Sequence, residues 1–348
     1  MTSFVGLGPM PGTDPKAAAE IILGESFAGL VHLPVLPARG LGADPIGRTG
    51  ALMADLHLDR GPRSWRTVDR ASRLSWSAAD YLARDLDACE DVWATGAQQV
   101  RLLAVGPWTM AASVERANGA LVASDFGAVR YFAQSLAAGI AAQAEQARRR
   151  FGATVSLLLS ESQLPRVAQG RLAAPSTWMD QDGFLPAQGY REIAEILREV
   201  TEPLLAAGIS TTLALTSTEG IAAAAIAESG AEAIWLPRAS LHTSAQLDFA
   251  AALIGQELTL ELGIVPVRVA DYDEHTGEPQ ATSARAAAEQ AALLWDELGF
   301  SRMEIAQRLA LAPEAGFSAT PVAETVAQLG TGRRAAELLA RAAGDLAN

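Results

Sequence analysis

Leu309–Ser318, LALAPEAGFS, is an apolar run that breaks into a turn at Pro313, Glu314, Ala315 and Gly316. In α/β barrels such strand–turn junctions, at the carboxyl ends of the strands, carry the reactive groups. The residue before the turning glycine is Ala315, which can neither hold a metal nor move a proton. Other strand ends offer more. Ser160 and Glu161 close the run SLLLSES, and Glu161 is a carboxylate that a ligand amine could reach, or one paired with an arginine at the rim. Trp108 and Thr109 follow another strand and are expected to touch the same pocket, although a tryptophan is as readily a packing residue. His32, Arg39 and Arg48 lie in a Pro/Gly-rich stretch, where they could bind a carboxylated ligand or fix the loop by hydrogen bonds. Trp108, Ser160, Glu161 and Pro313 are expected to border one cavity.

The remaining candidates favour plainer roles. His242 has no cysteine or carboxylate at ligand spacing and reads as a surface or capping group. Asp271, Asp273, Glu274 and His275 could bind a cation, but Gly277 and Pro279 beside them favour a solvated loop. Cys89 falls on the apolar face of a helix and reads as a buried, inert thiol.

Composition excludes several classes of chemistry. The net charge of −13 over 348 residues argues against nucleic-acid partners, which require concentrated Lys and Arg. Lys16 is the single lysine among 27 basic residues, so a Schiff-base mechanism has one poorly placed option. No phosphate-binding G-x-x-x-x-G-K-[ST] loop occurs. No apolar run reaches the roughly 18 residues of a membrane span, and the first residues, MTSFVGLGPMPG, lack the pattern of a signal peptide. One cysteine permits no intramolecular disulfide, so a cytoplasmic setting is expected.

The elements that must position these residues alternate along the chain. Strands are expected at 3–8, in QQVRLLAVGP, and at 153–160, 210–215, 232–236, 257–265 and 308–313. Helices are expected at 13–25, 77–96, 125–152, 187–207, 219–229, 243–255, 282–298 and 321–344. An eighth strand is expected within 31–73, otherwise an excursion over the barrel mouth. Unbroken strand–helix repetition favours a single (β/α)8 TIM barrel spanning residues 1–348 over two dinucleotide-binding halves. GLGPMPG places prolines where the helix amides of such a half would face a phosphate.

With these elements in place, GPWTMAASVERANG (106–119) resembles the G-P-W-T-L phrase shared by cobalamin-independent methionine synthases and uroporphyrinogen decarboxylases. HLPVLPARGLGADPIGRT (32–49), GLGPMPGTDP (6–15) and SQLPRVAQGRL (162–172) look like the short, single-barrel methionine synthase homologues. The R-Q-A-G-R phrase of the decarboxylases is missing. The resemblance runs from about residue 5 to residue 320. It implies a zinc ion that binds the homocysteine sulfur as thiolate for methyl transfer from a methyl-folate or similar donor. The zinc would be held by a His-x-Cys, a Glu and the Cys of a P-x-C-G phrase.

None of those ligands is present at the matching positions, which fall near Leu213, Leu215, Pro237 and Ala315. The family's D-E-P is Ser160-Glu161-Ser162 here, and Val35 stands where short relatives often carry a carboxylate. No cofactor is therefore expected. The first reading is a divergent methyltransferase-like barrel that keeps a pocket for a small carboxylated ligand, folate-like or amino-acid-like. The alternative is a non-catalytic binding or regulatory barrel, and a decarboxylase is the third.

A structural zinc site contributes roughly 10–16 kcal/mol of apparent binding free energy through thiolate and imidazole ligands. Elemental analysis after dialysis against a chelator is therefore expected to find no stoichiometric zinc, in the wild type and in Ala315→Cys alike. Retained zinc in the wild type would overturn this reading.

Overall fold

The computed structural model describes residues 3–61, 64–94, 96–173, 184–273 and 275–347, with side chains up to residue 342. Seven strands form one parallel sheet in chain order: β1 Leu30–His32, β2 Gln99–Val105, β3 Thr154–Ser160, β4 Ser210–Ala214, β5 Ala233–Pro237, β6 Thr259–Val265 and β7 Leu309–Pro313. Each pairs in parallel with the next. The amino-terminal segment occupies the eighth position. Val5 donates its N–H to the Leu311 carbonyl, and Leu311 donates to Ser3. On the other side Met10 donates to Val35 and Val35 to Gly8. The segment 3–10 thus bridges β7 to the chain just after β1 and closes the barrel.

Helices fill the connections where apolar spacing called for them. Pro15–Gly24 starts from an Asp14 cap, whose side chain accepts from Lys16 and Ala17 N–H. Arg73–Trp93 starts four residues earlier than its periodicity suggests, because Ser72 and Ser75 form a reciprocal capping box. Phe126–Phe151 runs from an Asp125 cap to Gly152, which takes the left-handed conformation that ends the helix. Tyr190–Ala206, Ser244–Gly255, Ala284–Glu297 and Val322–Ala347 follow as expected, while 219–229 shrinks to the short helix Ala223–Ala227.

The strand that the sequence leaves unlocated is β1, at the very start of the 31–73 stretch. Three residues are too few to show a period. The remainder of that stretch carries a turn of 3-10 helix at Pro37–Arg39, a helix at Pro45–Gly50 and an antiparallel hairpin, His57–Arg60 with Trp65–Val68. It sits at the carboxyl ends of the strands. Thr49 Oγ1 accepts from the N–H of Val105, the last residue of β2, and Trp65 pairs with Val114 beyond that strand. Arg39 and Arg48 anchor the excursion to the Arg73–Trp93 helix through one buried carboxylate. Asp85 accepts from Arg39 at 2.7 Å and from Arg48 at 2.5 Å.

Side chains on one face of each strand stack inside the barrel in layers. At the amino ends, Arg101 of β2 reaches Glu261 of β6 at 2.5 Å and Thr212 of β4 at 2.6 Å, and Thr212 donates onward to Glu261 at 2.8 Å. Above this lies an apolar layer of Val5, Leu7, Leu158, Ala214, Trp235 and Ala312, with Leu30 and Leu103 against it. The larger core fills the space between sheet and helices. Among the described residues no helix is long and apolar enough to cross a membrane.

A buried ion pair is costly to break and easy to replace. Removing one partner strands the other charge in a largely buried site, whereas a well-packed apolar pair avoids both desolvation costs. Glu261→Ala is expected to destabilise the protein by about 3–5 kcal/mol, and Arg101→Met with Glu261→Met by far less. Urea unfolding of the two variants measures this. A double variant as unstable as Glu261→Ala would show that the pair contributes more than its own desolvation.

Candidate functional site

The carboxyl ends of β2 to β5, the amino-terminal segment and the turn after β7 enclose a cavity of about 380 Å³. Its lower walls are Leu7, Leu103, Leu158, Ala214 and Trp235, continuous with the apolar interior layer. Higher up stand Pro9, Pro45 and Pro237, and the polar groups are Ser160, Thr216 and Glu314. The Trp235 indole is held in place because its N–H donates to the Pro313 carbonyl at 3.3 Å. Gly316 lets the last turn close on the amino-terminal segment: a Cβ there would lie 2.6 Å from Pro9, and the next residue, Phe317, donates to the Pro9 carbonyl.

Of the residues singled out in the sequence, Ser160 lines this cavity. Trp108, Thr109 and Glu161 form a separate, closed knot beside it. Glu161 is fully buried, and its carboxylate accepts from Trp108 N–H at 3.0 Å, Thr109 N–H at 2.8 Å and the Thr109 hydroxyl at 2.6 Å. It therefore caps the helix Pro107–Ser113. Gly106 makes room for it, since a Cβ there would fall 2.3 Å from the carboxylate. The Trp108 side chain turns outward, packing on Phe126 and donating to the Ile193 carbonyl. Thr109 also accepts from Gln163 N–H. Pro313 is buried at the end of β7, with its carbonyl committed to Trp235, and is not among the lining residues.

The basic candidates are also committed elsewhere. Arg39 and Arg48 share Asp85, and Arg39 additionally covers the Tyr81 ring at 4.8 Å. His32 is buried on β1 with its ring packed against Gly6. His242 is exposed and bonds the Ala239 carbonyl. Asp273 takes Thr276 and His275 N–H groups in a hairpin turn, and Glu274 lies outside the described residues. Cys89 is buried, which raises its thiol above the usual range, as does the Asp85 charge.

The strand alternation corrects one assignment. Leu213 and Leu215 belong to the core beneath the helices, so the β4 strand and its extension present Ala214 and Thr216 to the cavity. The corresponding positions elsewhere are Pro237 and Ala315. Aliphatic groups, two hydroxyls and one carboxylate are not a donor set for zinc. Among the described residues no three His, Cys, Asp or Glu side chains group as metal ligands would.

Several structural groups carry a sequence signal once the alternation is known. Arg101 shares a strand face with Leu103 and Val105, and Glu261 shares one with Gly263. Asp85 sits in an otherwise apolar helix stripe with Leu82, Leu86, Cys89 and Trp93. Glu314 and Trp235 lie in strand-end phrases without being distinguished by type.

Fold and cavity together define a (β/α)8 barrel with a pocket at the carboxyl ends of its strands. Among solved structures it is similar to a B12-independent methionine synthase from Shewanella sp. W3-18-1, with a TM-score of 0.57 and 11% identity over 99% of each chain. A methyltransferase from Methanosarcina mazei matches with a TM-score of 0.49 and 14% identity, over 95% of this chain and 93% of that one. The likeness to the first of these is one of barrel fold. No protein-family profile and no curated protein sequence matches the chain.

Two buried groups act on stability with opposite signs. Burial, and then the Arg101 charge, pull His32 down from 6.5 to about 3. The unfolded chain takes up a proton below about 6.5 that the folded chain refuses, so stability is lost as pH falls from there. Burial pushes Glu161 up from 4.5 to about 7, against the pull of the Thr109 and Trp108 donors. The folded chain then keeps a proton that the unfolded chain has released, and stability is lost as pH rises through that window. Between about pH 7 and pH 5, His32→Gln is expected to remove an acid-side loss of about 2 kcal/mol, and Glu161→Gln an opposite change of similar size. Urea unfolding of wild type and both variants at the two pH values checks this. A His32→Gln profile parallel to the wild type would mean that the folded chain protonates His32 freely.

Proposed function

We propose that this chain is a small-molecule-binding barrel, distantly related to the methionine synthase and methyltransferase barrels, that works without zinc-activated thiol chemistry. The observation that carries the reading is the cavity itself. Its volume of about 380 Å³ falls in the range of ligand pockets, and it lies where barrel enzymes bind their substrates. A free thiol keeps an ordinary pKa of about 8.5, and among the described residues neither a metal donor set nor a basic side chain borders the cavity to lower it, which supports a reading without thiolate chemistry.

The same lining bears on the ligand. Folate-like and amino-acid-like molecules carry carboxylates, and among the described residues no Arg, Lys or His lines the cavity to receive one. Arg39 and Arg48, the candidates in the excursion, are engaged by Asp85 instead. A largely apolar ligand without a carboxylate on its buried part is the better fit.

Native mass spectrometry of the full chain with a metabolite panel tests the reading. A ligand bound one to one is expected, and lost in Ala214→Phe, whose ring would fill the floor of the cavity. A stoichiometric protein partner with no ligand in the wild type would favour the regulatory alternative and overturn the proposal.

A further inference from the structure

We propose that the ligand is an amine: a molecule with a protonated nitrogen at one end and an apolar body, oriented by Glu314. This rests on the reading of the cavity as the ligand site. Among the described residues that line it, Glu314 alone is ionisable. The backbone fixes its place, because its N–H donates to the Val265 carbonyl at 2.8 Å, tying the turn after β7 to the end of β6. One carboxylate oxygen accepts from Val267 N–H at 3.3 Å, which leaves the charge uncompensated. Among the described residues no cation pairs with it. The nearest arginine in sequence to Val267, Arg268, is engaged by Glu324.

The exposed Glu314 stands at the mouth, and the apolar groups, Leu103, Leu158, Ala214 and Trp235, form the floor. This polarity sets the direction of entry. A charged end placed at the floor would lose its hydration with only the indole face as partner, whereas at the mouth it keeps water and gains a carboxylate. The apolar body then leaves water for the floor. An ammonium has three donors, and at the mouth those not given to Glu314 stay with water. A carboxylate end would meet repulsion from Glu314 and, among the described residues of the lining, find no cation. The net charge of −13 adds a long-range attraction for cations and against anions.

Isothermal titration of the full chain with 2-phenylethylamine, 2-phenylethanol and 3-phenylpropanoate tests the proposal, since the three share one apolar body. The amine is expected to bind about five- to tenfold more tightly than the alcohol, as befits a charge-assisted contact at a partly exposed site. The carboxylate is expected to bind most weakly. Glu314→Gln, whose amide oxygen can still accept from Val267, should bring the amine-to-alcohol ratio close to one. Alcohol binding as tight as amine binding, lost in Ala214→Phe, would overturn the amine assignment while leaving the cavity as the ligand site. An amine preference that survives Glu314→Gln would overturn the role of Glu314. Failure of all three probes to bind would overturn the ligand-site reading together with this one.

Discussion

The barrel depends on eight residues at its amino terminus. Seven strands in parallel order would form a curled sheet with two free edges, each presenting unpaired N–H and C=O groups. Residues 3–10 bridge the gap between them, bonding β7 through Ser3 and Val5 and the chain just after β1, at Val35, through Gly8 and Met10. Closure also makes the cavity, because the same segment contributes Leu7 and Pro9 to its wall and receives the final turn on Pro9. A chain segment that fails to add here would leave neither a complete barrel nor a complete pocket.

Around that ring, charge is spent on fixing loops. Asp85 gathers two arginines of the excursion, Glu161 caps the helix after β2, and Glu324 ties the segment after β6 to the last helix through Arg268, Val269 and the Tyr272 hydroxyl. Each carboxylate is satisfied by two or three donors, and each serves an element at or near the barrel mouth. Glu314 differs in keeping one backbone donor and, among the described residues, no cation.

The fold was legible because it rests on periodicity and punctuation. Strand–helix alternation, the Asp14 and Asp125 caps and the Gly152 stop all lie in adjacent residues. Strand β1 was not locatable, since its three residues take their extended form from pairing with β2 and not from any local pattern. The site was less legible for a similar reason. Glu161 and Trp108 sit at strand ends as expected, but whether a strand-end side chain turns to the cavity or to a helix depends on a one-residue register. The choice between Leu213 and Ala214 turns on the same register. Glu161 looked like a pocket carboxylate because nothing local reveals that Gly106 clears a space for it beneath a helix start.

The Arg101–Glu261 pair and the apolar layer above it have a kinetic consequence. A second, polar cavity of about 260 Å³ lies at the amino ends of the strands, bordered by Ser156, Ser210, Thr259 and the ion pair itself. The partition between the two spaces is the layer formed by Leu158, Ala214, Trp235 and Ala312, so the barrel is a vessel stoppered from below. Whatever enters the upper space must depart through the opening by which it came. The loops around that opening are then the single gate of the upper space, while the Arg101–Glu261 pair, cut off below the partition, bears on how firmly the barrel stands.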